Sequence, residues 1–128
     1  MIGFIYFVRQ QEPYPRYKIG FSADVKKRIS CLRTGNPEPI ELVGHIRGSR
    51  GQERGIHEVL KPYRVTGEWY QNIRPVTALI EDAMLYGAQY AISVARDKNV
   101  EREWGSESIQ PRKQFKRDMQ RFVDKYGN

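Results

Sequence analysis

Cysteine is nearly missing from this chain: Cys31 is the single one in 128 residues. No internal disulfide can form, and no cluster of ligands beside Cys31 provides the spacing of a zinc site. No apolar run is long enough to cross a bilayer. The basic, then apolar, then small pattern of a secretory leader does not occur at the N-terminus. No internal repeat is visible. These absences point to a soluble globular protein in a reducing, cytoplasmic location, with no membrane partner. The length suits one ordinary domain, or a small domain with an appendage.

Positive charge is what the sequence has in excess. Lys and Arg number 22 against 15 acidic residues, a net charge of +7. Residues 1–75 carry 13 basic and 7 acidic groups, residues 76–109 carry 3 and 6, and residues 110–128 carry 6 and 2. Basic ends separated by an acidic stretch suit a polyanion, whose counterions Lys and Arg displace. A solubilising surface would show the same charge, so charge alone leaves both readings open.

The chain opens with two segments rich in aromatic and β-branched residues, Gly3-Phe4-Ile5-Tyr6-Phe7-Val8 and Tyr17-Lys18-Ile19-Gly20-Phe21. Such residues favour strands, and the polar stretch between them, broken by Pro13 and Pro15, reads as the loop of a hairpin. Alternation puts Phe4, Tyr6 and Val8 on one face of the first strand, and Lys18 and Gly20 on one face of the second. If those faces coincide, a phenol and an ammonium meet over a glycine that leaves room for a ligand.

Ser22 is suited to cap a helix starting near Ala23, with Val25, Ile29 and Leu32 on its buried stripe and Gly35-Asn36-Pro37 ending it. Ile40 to Ile46 reads as a third strand with Ile40, Leu42 and Ile46 on one face, followed by a loop at 48–51. A second helix is expected from about Gln52 to Tyr63. Glu53, Ile56, His57 and Leu60 share one face of it. A carboxylate and an imidazole on a core-facing stripe are costly unless paired or liganded. Glu68-Trp69-Tyr70 reads as a short extended piece. Pro75 is suited to the first turn of one long helix, about 76–98. Residues 99–109 look like a linker, and Pro111 opens a last amphipathic helix carrying Arg112, Lys113, Lys116 and Arg117.

Taken in order, these residues resemble a known family. Phe4-Ile5-Tyr6 and Lys18-Ile19-Gly20 resemble the two signature strands of the GIY-YIG nucleases. Arg28 falls where that family keeps its arginine, and Glu53 matches its metal-binding glutamate. Glu53-Arg54-Gly55-Ile56-His57 followed by Gly67-Glu68-Trp69-Tyr70 is similar to a phage and bacterial branch in which lysine replaces the second tyrosine. The resemblance covers roughly residues 2–71.

What the resemblance implies is divalent-metal-dependent hydrolysis of DNA phosphodiester bonds. Tyr6 would take the proton of the attacking water, with Lys18 beside it favouring the phenolate. Arg28 would grip the phosphate with its planar fork of donors. Glu53 would hold Mg²⁺ or Mn²⁺, since Mg²⁺ commonly takes one or two protein carboxylates and keeps several waters. His57 would orient the metal water or contact phosphate, and Glu68 would add a supporting hydrogen bond. Lys26, Lys27 and Arg33, with the four tail cations named above, would contact DNA phosphates. No small-molecule cofactor beyond the metal is expected.

Singly, each of these residues has an ordinary structural role. Tyr6 can fill a core, Lys18 can guard an edge strand, and Arg28 can decorate a helix. Glu53 can favour the helix dipole, and His57 can be a hydrogen-bonded structural histidine. Phe21 and Leu32 stand where the family often has polar groups. They favour the alternative of a nucleic-acid-binding module with weak or no turnover. The expected architecture is α/β: a three-stranded, mostly antiparallel sheet flanked by helices. Residues 1–74 would form the nuclease domain, and residues 75–128 a helical extension ending in a basic helix.

Overall fold

The computed structural model describes residues 2–103. The expected basic terminal helix, with Arg112, Lys113, Lys116 and Arg117, lies outside the described residues. The architecture is α+β. Strands β1 (Ile2–Gln10), β2 (Arg16–Ser22), β3 (Ile40–Ser49), β4 (Arg64–Thr66) and β5 (Trp69–Gln71) form one sheet in the order β3-β1-β2-β5-β4. Every pairing is antiparallel. Five strands rather than three arise because 64–71 folds into a hairpin that adds onto β2. Three-residue strands carry too little periodicity to be legible in the sequence.

Among the described residues four α-helices pack on the sheet: α1 (Val25–Gly35), α2 (Arg50–Leu60), α3 (Arg74–Tyr86) and α4 (Ala88–Glu103). The N-cap of α1 is Asp24, not Ser22: its carboxylate accepts from the Lys27 amide at 3.1 Å, while the Ser22 hydroxyl accepts from the Asp24 amide. β3 runs on through Ser49 with no loop, because Ser49 and Gln52 form a reciprocal capping box that starts α2 at once. The last turn expected of α2 is a 3₁₀ turn, Lys61–Tyr63, carrying Pro62. The single helix expected over 76–98 is two helices, because Gly87 takes φ +96°, a conformation that ends a helix. α4 then continues through part of the stretch read as a linker.

Alternation along the strands divides the interior in two. Ile5, Phe7, Ile19 and Phe21 point to the face covered by α2, α3 and α4, where they pack with Ile56, Leu60, Val76, Leu79 and Ile92 among others. Tyr6 and Val8 point to the other face and pack under Val25 and Ile29 of α1. Each such aliphatic side chain, fully buried, stabilises by ~1.5–3 kcal/mol. β3 does not keep Ile40, Leu42 and Ile46 together. A bulge opposite Phe7 and Val8 shifts the register, so Ile40 and Leu42 stay on the α1 face while Val43 and Ile46 join the larger core. No helix among the described residues is long and apolar enough to cross a membrane.

Candidate metal and phosphate site

β1 and β2 pair with Tyr6 opposite Gly20 and Val8 opposite Lys18, so Tyr6, Lys18 and Gly20 do share one face. The space over Gly20 is not open. The Tyr6 ring lies across it, and a Cβ at position 20 would run into the ring and its hydroxyl. Glycine here seats a buried aromatic rather than admitting a ligand. The cation reaching the phenol is Arg28, whose Nε donates to Tyr6 Oη at 3.4 Å. That hydrogen bond is the main reason the Arg28 guanidinium is held above its usual pKa, with the charge of Glu68 adding to it. Tyr6 itself is wholly buried.

Lys18 turns elsewhere. Its Nζ donates to Glu68 Oε1 at 2.9 Å, with the Lys18 side chain only 11% exposed. The other oxygen of Glu68, Oε2, lies 3.7 Å from His57 Nε2, and Glu53 Oε2 lies 3.4 Å from that same nitrogen. Glu53, His57 and Glu68 each offer a ligand atom, and these atoms lie within 4.8 Å of one another. Glu53 and His57 come from α2, which covers the face opposite Tyr6, whereas Lys18, Tyr6 and Arg28 belong to the α1 face. The two groups meet at the edge of β2. There β5 pairs only with Arg16 to Lys18, and the Glu68 carbonyl accepts from the Ile19 amide as the ladder ends. Glu68 thus joins Lys18 on one side of the sheet to His57 and Glu53 on the other.

The electrostatics favour a cation at this junction. Burial pushes the Glu53 carboxyl up, the charge of His57 opposes this, and the neighbouring Glu68 adds to it. The His57 ring is held through its other nitrogen: Nδ1 is hydrogen-bonded to the Tyr70 hydroxyl. Burial pushes the Tyr70 phenol up to about 12, so it stays protonated. His57 Nε2 is buried and makes no hydrogen bond, although two carboxylates stand close by. If Nδ1 carries the proton and donates to Tyr70 Oη, Nε2 presents a lone pair toward Glu53 and Glu68. A histidine oriented through its second nitrogen is how protein metal sites are commonly built. The residues present therefore fit a divalent ion.

Lys26, Lys27 and Arg33 lie exposed along α1, on the side of the sheet where Arg28 sits. Tyr70 escaped the sequence reading as a site residue, because an aromatic on a short strand reads as core. The signal available was its alternation with Trp69, which points Tyr70 toward the helix carrying His57.

Comparison with known proteins places residues 3–84 in the T5orf172 domain. A viral protein, "Uncharacterized protein 460R" of Invertebrate iridescent virus 6, is 28% identical over 88 residues. The match covers 63% of this chain and 40% of that protein, so the chain spans well under two thirds of its relative's length. No solved structure matches. The T5orf172 match overturns the GIY-YIG resemblance. Tripeptides such as Phe4-Ile5-Tyr6 and Lys18-Ile19-Gly20 carry little information, because aromatic and β-branched residues are what any half-buried strand accepts. The T5orf172 domain is associated with nuclease and DNA-binding function, which is compatible at a coarse level with the expected role on DNA.

Proposed function

Because the chain belongs to the T5orf172 domain family, and because an orphaned buried imidazole nitrogen faces two carboxylates, we propose that it hydrolyses DNA phosphodiester bonds with a divalent metal ion. Glu53, Glu68 and His57 Nε2 hold the ion. Carboxylates suit Mg²⁺ and Mn²⁺, and the imidazole shifts the balance toward Mn²⁺. A divalent ion held there would supply Lewis-acid chemistry, stabilising charge on the phosphate and making a water more acidic.

The chain's own residues do the rest. Lys18, now paired with Glu68, limits the negative charge gathered at the sheet edge. Arg28, exposed on α1 beside the site, presents its remaining donors to a phosphate oxygen. Tyr6, reached by Arg28, is assigned the proton of the attacking water. Lys26, Lys27 and Arg33 contact flanking phosphates, which positions the duplex without reading its sequence. The observation that carries the reading is the convergence of Glu53, His57 and Glu68.

One observation favours a second reading. Tyr6 is wholly buried, so it reaches a water only if the α1 side loosens. A module that binds nucleic acid and metal without turnover needs no such movement. Nicking of supercoiled plasmid with Mn²⁺ or Mg²⁺ separates the two. Under the first reading wild type nicks, EDTA abolishes nicking, and Glu53→Gln lowers the rate by about 10²-fold or more. Undiminished nicking by Glu53→Gln overturns it. Salt-dependent DNA binding without metal-dependent nicking selects the second.

A further inference from the structure

At the far end of the first hairpin, away from the metal ligands, lies a groove of about 540 Å³. That volume is within the range of small-ligand sites. Three apolar side chains stand out of its walls. Tyr14, in the loop between Pro13 and Pro15, is 76% exposed, Val65 is 52% exposed and Ile73 is 36% exposed. Gln71 and Asn72 add amides, each offering both a donor and an acceptor. None of the described residues lining the groove is acidic. Arg16 forms one wall, with its guanidinium 4.2 Å from the centre of the Trp69 ring and its buried Nε without a hydrogen-bond partner.

Arg16 in the groove wall relates it to the candidate site through the face of β2 that both share. Arg16 and Lys18 are two positions apart on β2 and so share a face, about 7 Å apart along the strand. Both lie against Trp69, Lys18 Nζ at 5.8 Å from the ring centre. The face of β2 that carries Lys18 thus leads past Trp69 and Arg16 to the groove.

We propose that this groove binds an unpaired nucleobase of the strand held at the metal site, stacked on Tyr14. This rests on the reading of that site given above. Stacking on an exposed aromatic suits any base, and the amides of Gln71 and Asn72 match the edges of a base rather than a phosphate. A paired base cannot enter, because its edge and faces are occupied. The occupant is a single-stranded overhang or flap, not a continuous duplex.

Fluorescence anisotropy on the full chain in EDTA, where metal-dependent cleavage is silent, tests this. The probes are a labelled duplex with a single-stranded overhang and a blunt duplex of the same paired length. The overhang is expected to bind about five- to tenfold more tightly, and Tyr14→Ala to remove that preference while leaving blunt-duplex affinity unchanged. Tyr14→Phe, which keeps the ring, is expected to keep the preference. Equal affinity for both probes in wild type, or a preference that survives Tyr14→Ala, overturns the proposal. Plasmid nicking is read separately. Nicking that Glu53→Gln abolishes, without an overhang preference, overturns the groove alone. A Tyr14-dependent preference without any nicking supports the groove while the hydrolytic reading fails.

Discussion

The two faces of the sheet are built from the same strands and do different work. On one, fifteen buried residues join β1 and β2 to α2, α3 and α4. On the other, among the described residues, α1 covers a smaller buried cluster of Tyr6, Val8, Val25 and Ile29. β2 shows the division in five residues: Ile19 enters the large core, while Lys18 and Gly20 face α1. The large core supplies most of the apolar burial. The smaller face can therefore hold a buried lysine, which does not help a core to form, beside the buried Tyr6 ring, which is part of its cluster. The candidate metal ligands Glu53, His57 and Glu68 stand where the two faces meet, at the edge of β2.

The comparison predicts unequal sensitivity to truncation. Ile56→Ala, in the large core, is expected to cost ~3–5 kcal/mol, near the upper end for such changes, while Ile29→Ala under α1 costs ~2 kcal/mol. Urea unfolding of both variants measures the difference, and equal losses would erase the distinction between the faces.

A second test concerns a group on the core side that does not belong there energetically. Glu81 of α3 is 8% exposed, and its Oε2 has no hydrogen-bond partner. Burial raises its carboxyl to about 7, with Arg74 opposing and Asp82 adding to the rise. The folded state thus prefers the neutral form. Its contribution to stability is fully present below the unfolded pKa of ~4.5 and is lost as pH rises toward 7. Ionisation is expected to cost about 1–3 kcal/mol by pH 8. Glu81→Gln should melt higher than wild type at pH 8 and no higher at pH 4.5. A constant offset at both pH values would show that Glu81 does not titrate in this window.

The smallest effect tests the junction between the faces. Tyr70→Phe removes the hydroxyl that holds His57 Nδ1 and leaves the ring in the core. Mn²⁺ affinity by calorimetry is expected to fall ~10–100-fold, as it does when a metal-bound histidine loses its outer partner. Unchanged affinity would mean that His57 is positioned by its helix alone.

The alternating aromatic and branched residues of 3–8 and 17–21 were enough to announce the first hairpin. The stripes at Val25, Ile29 and at Ile56, Leu60 were enough for α1 and α2. Glu53 and His57 declared themselves as misfits on a buried stripe. The strands at 64–71 were too short to show a period, and the β3 bulge reverses its side-chain alternation at a position that only pairing with β1 fixes. Gly87 fell inside the one long helix expected over about 76–98, because a positive φ leaves no mark on composition.

The site divides the same way. The chain itself determined which side chains were out of place, since a carboxylate or imidazole among apolar neighbours is costly in any fold. Only the tertiary structure decided their partners: Lys18 went to Glu68 rather than to Tyr6, and Tyr70 to His57. Those pairings join residues 50 and 13 positions apart. They depend on where β5 docks against β2, which is set by the packing of the whole core and by no local pattern.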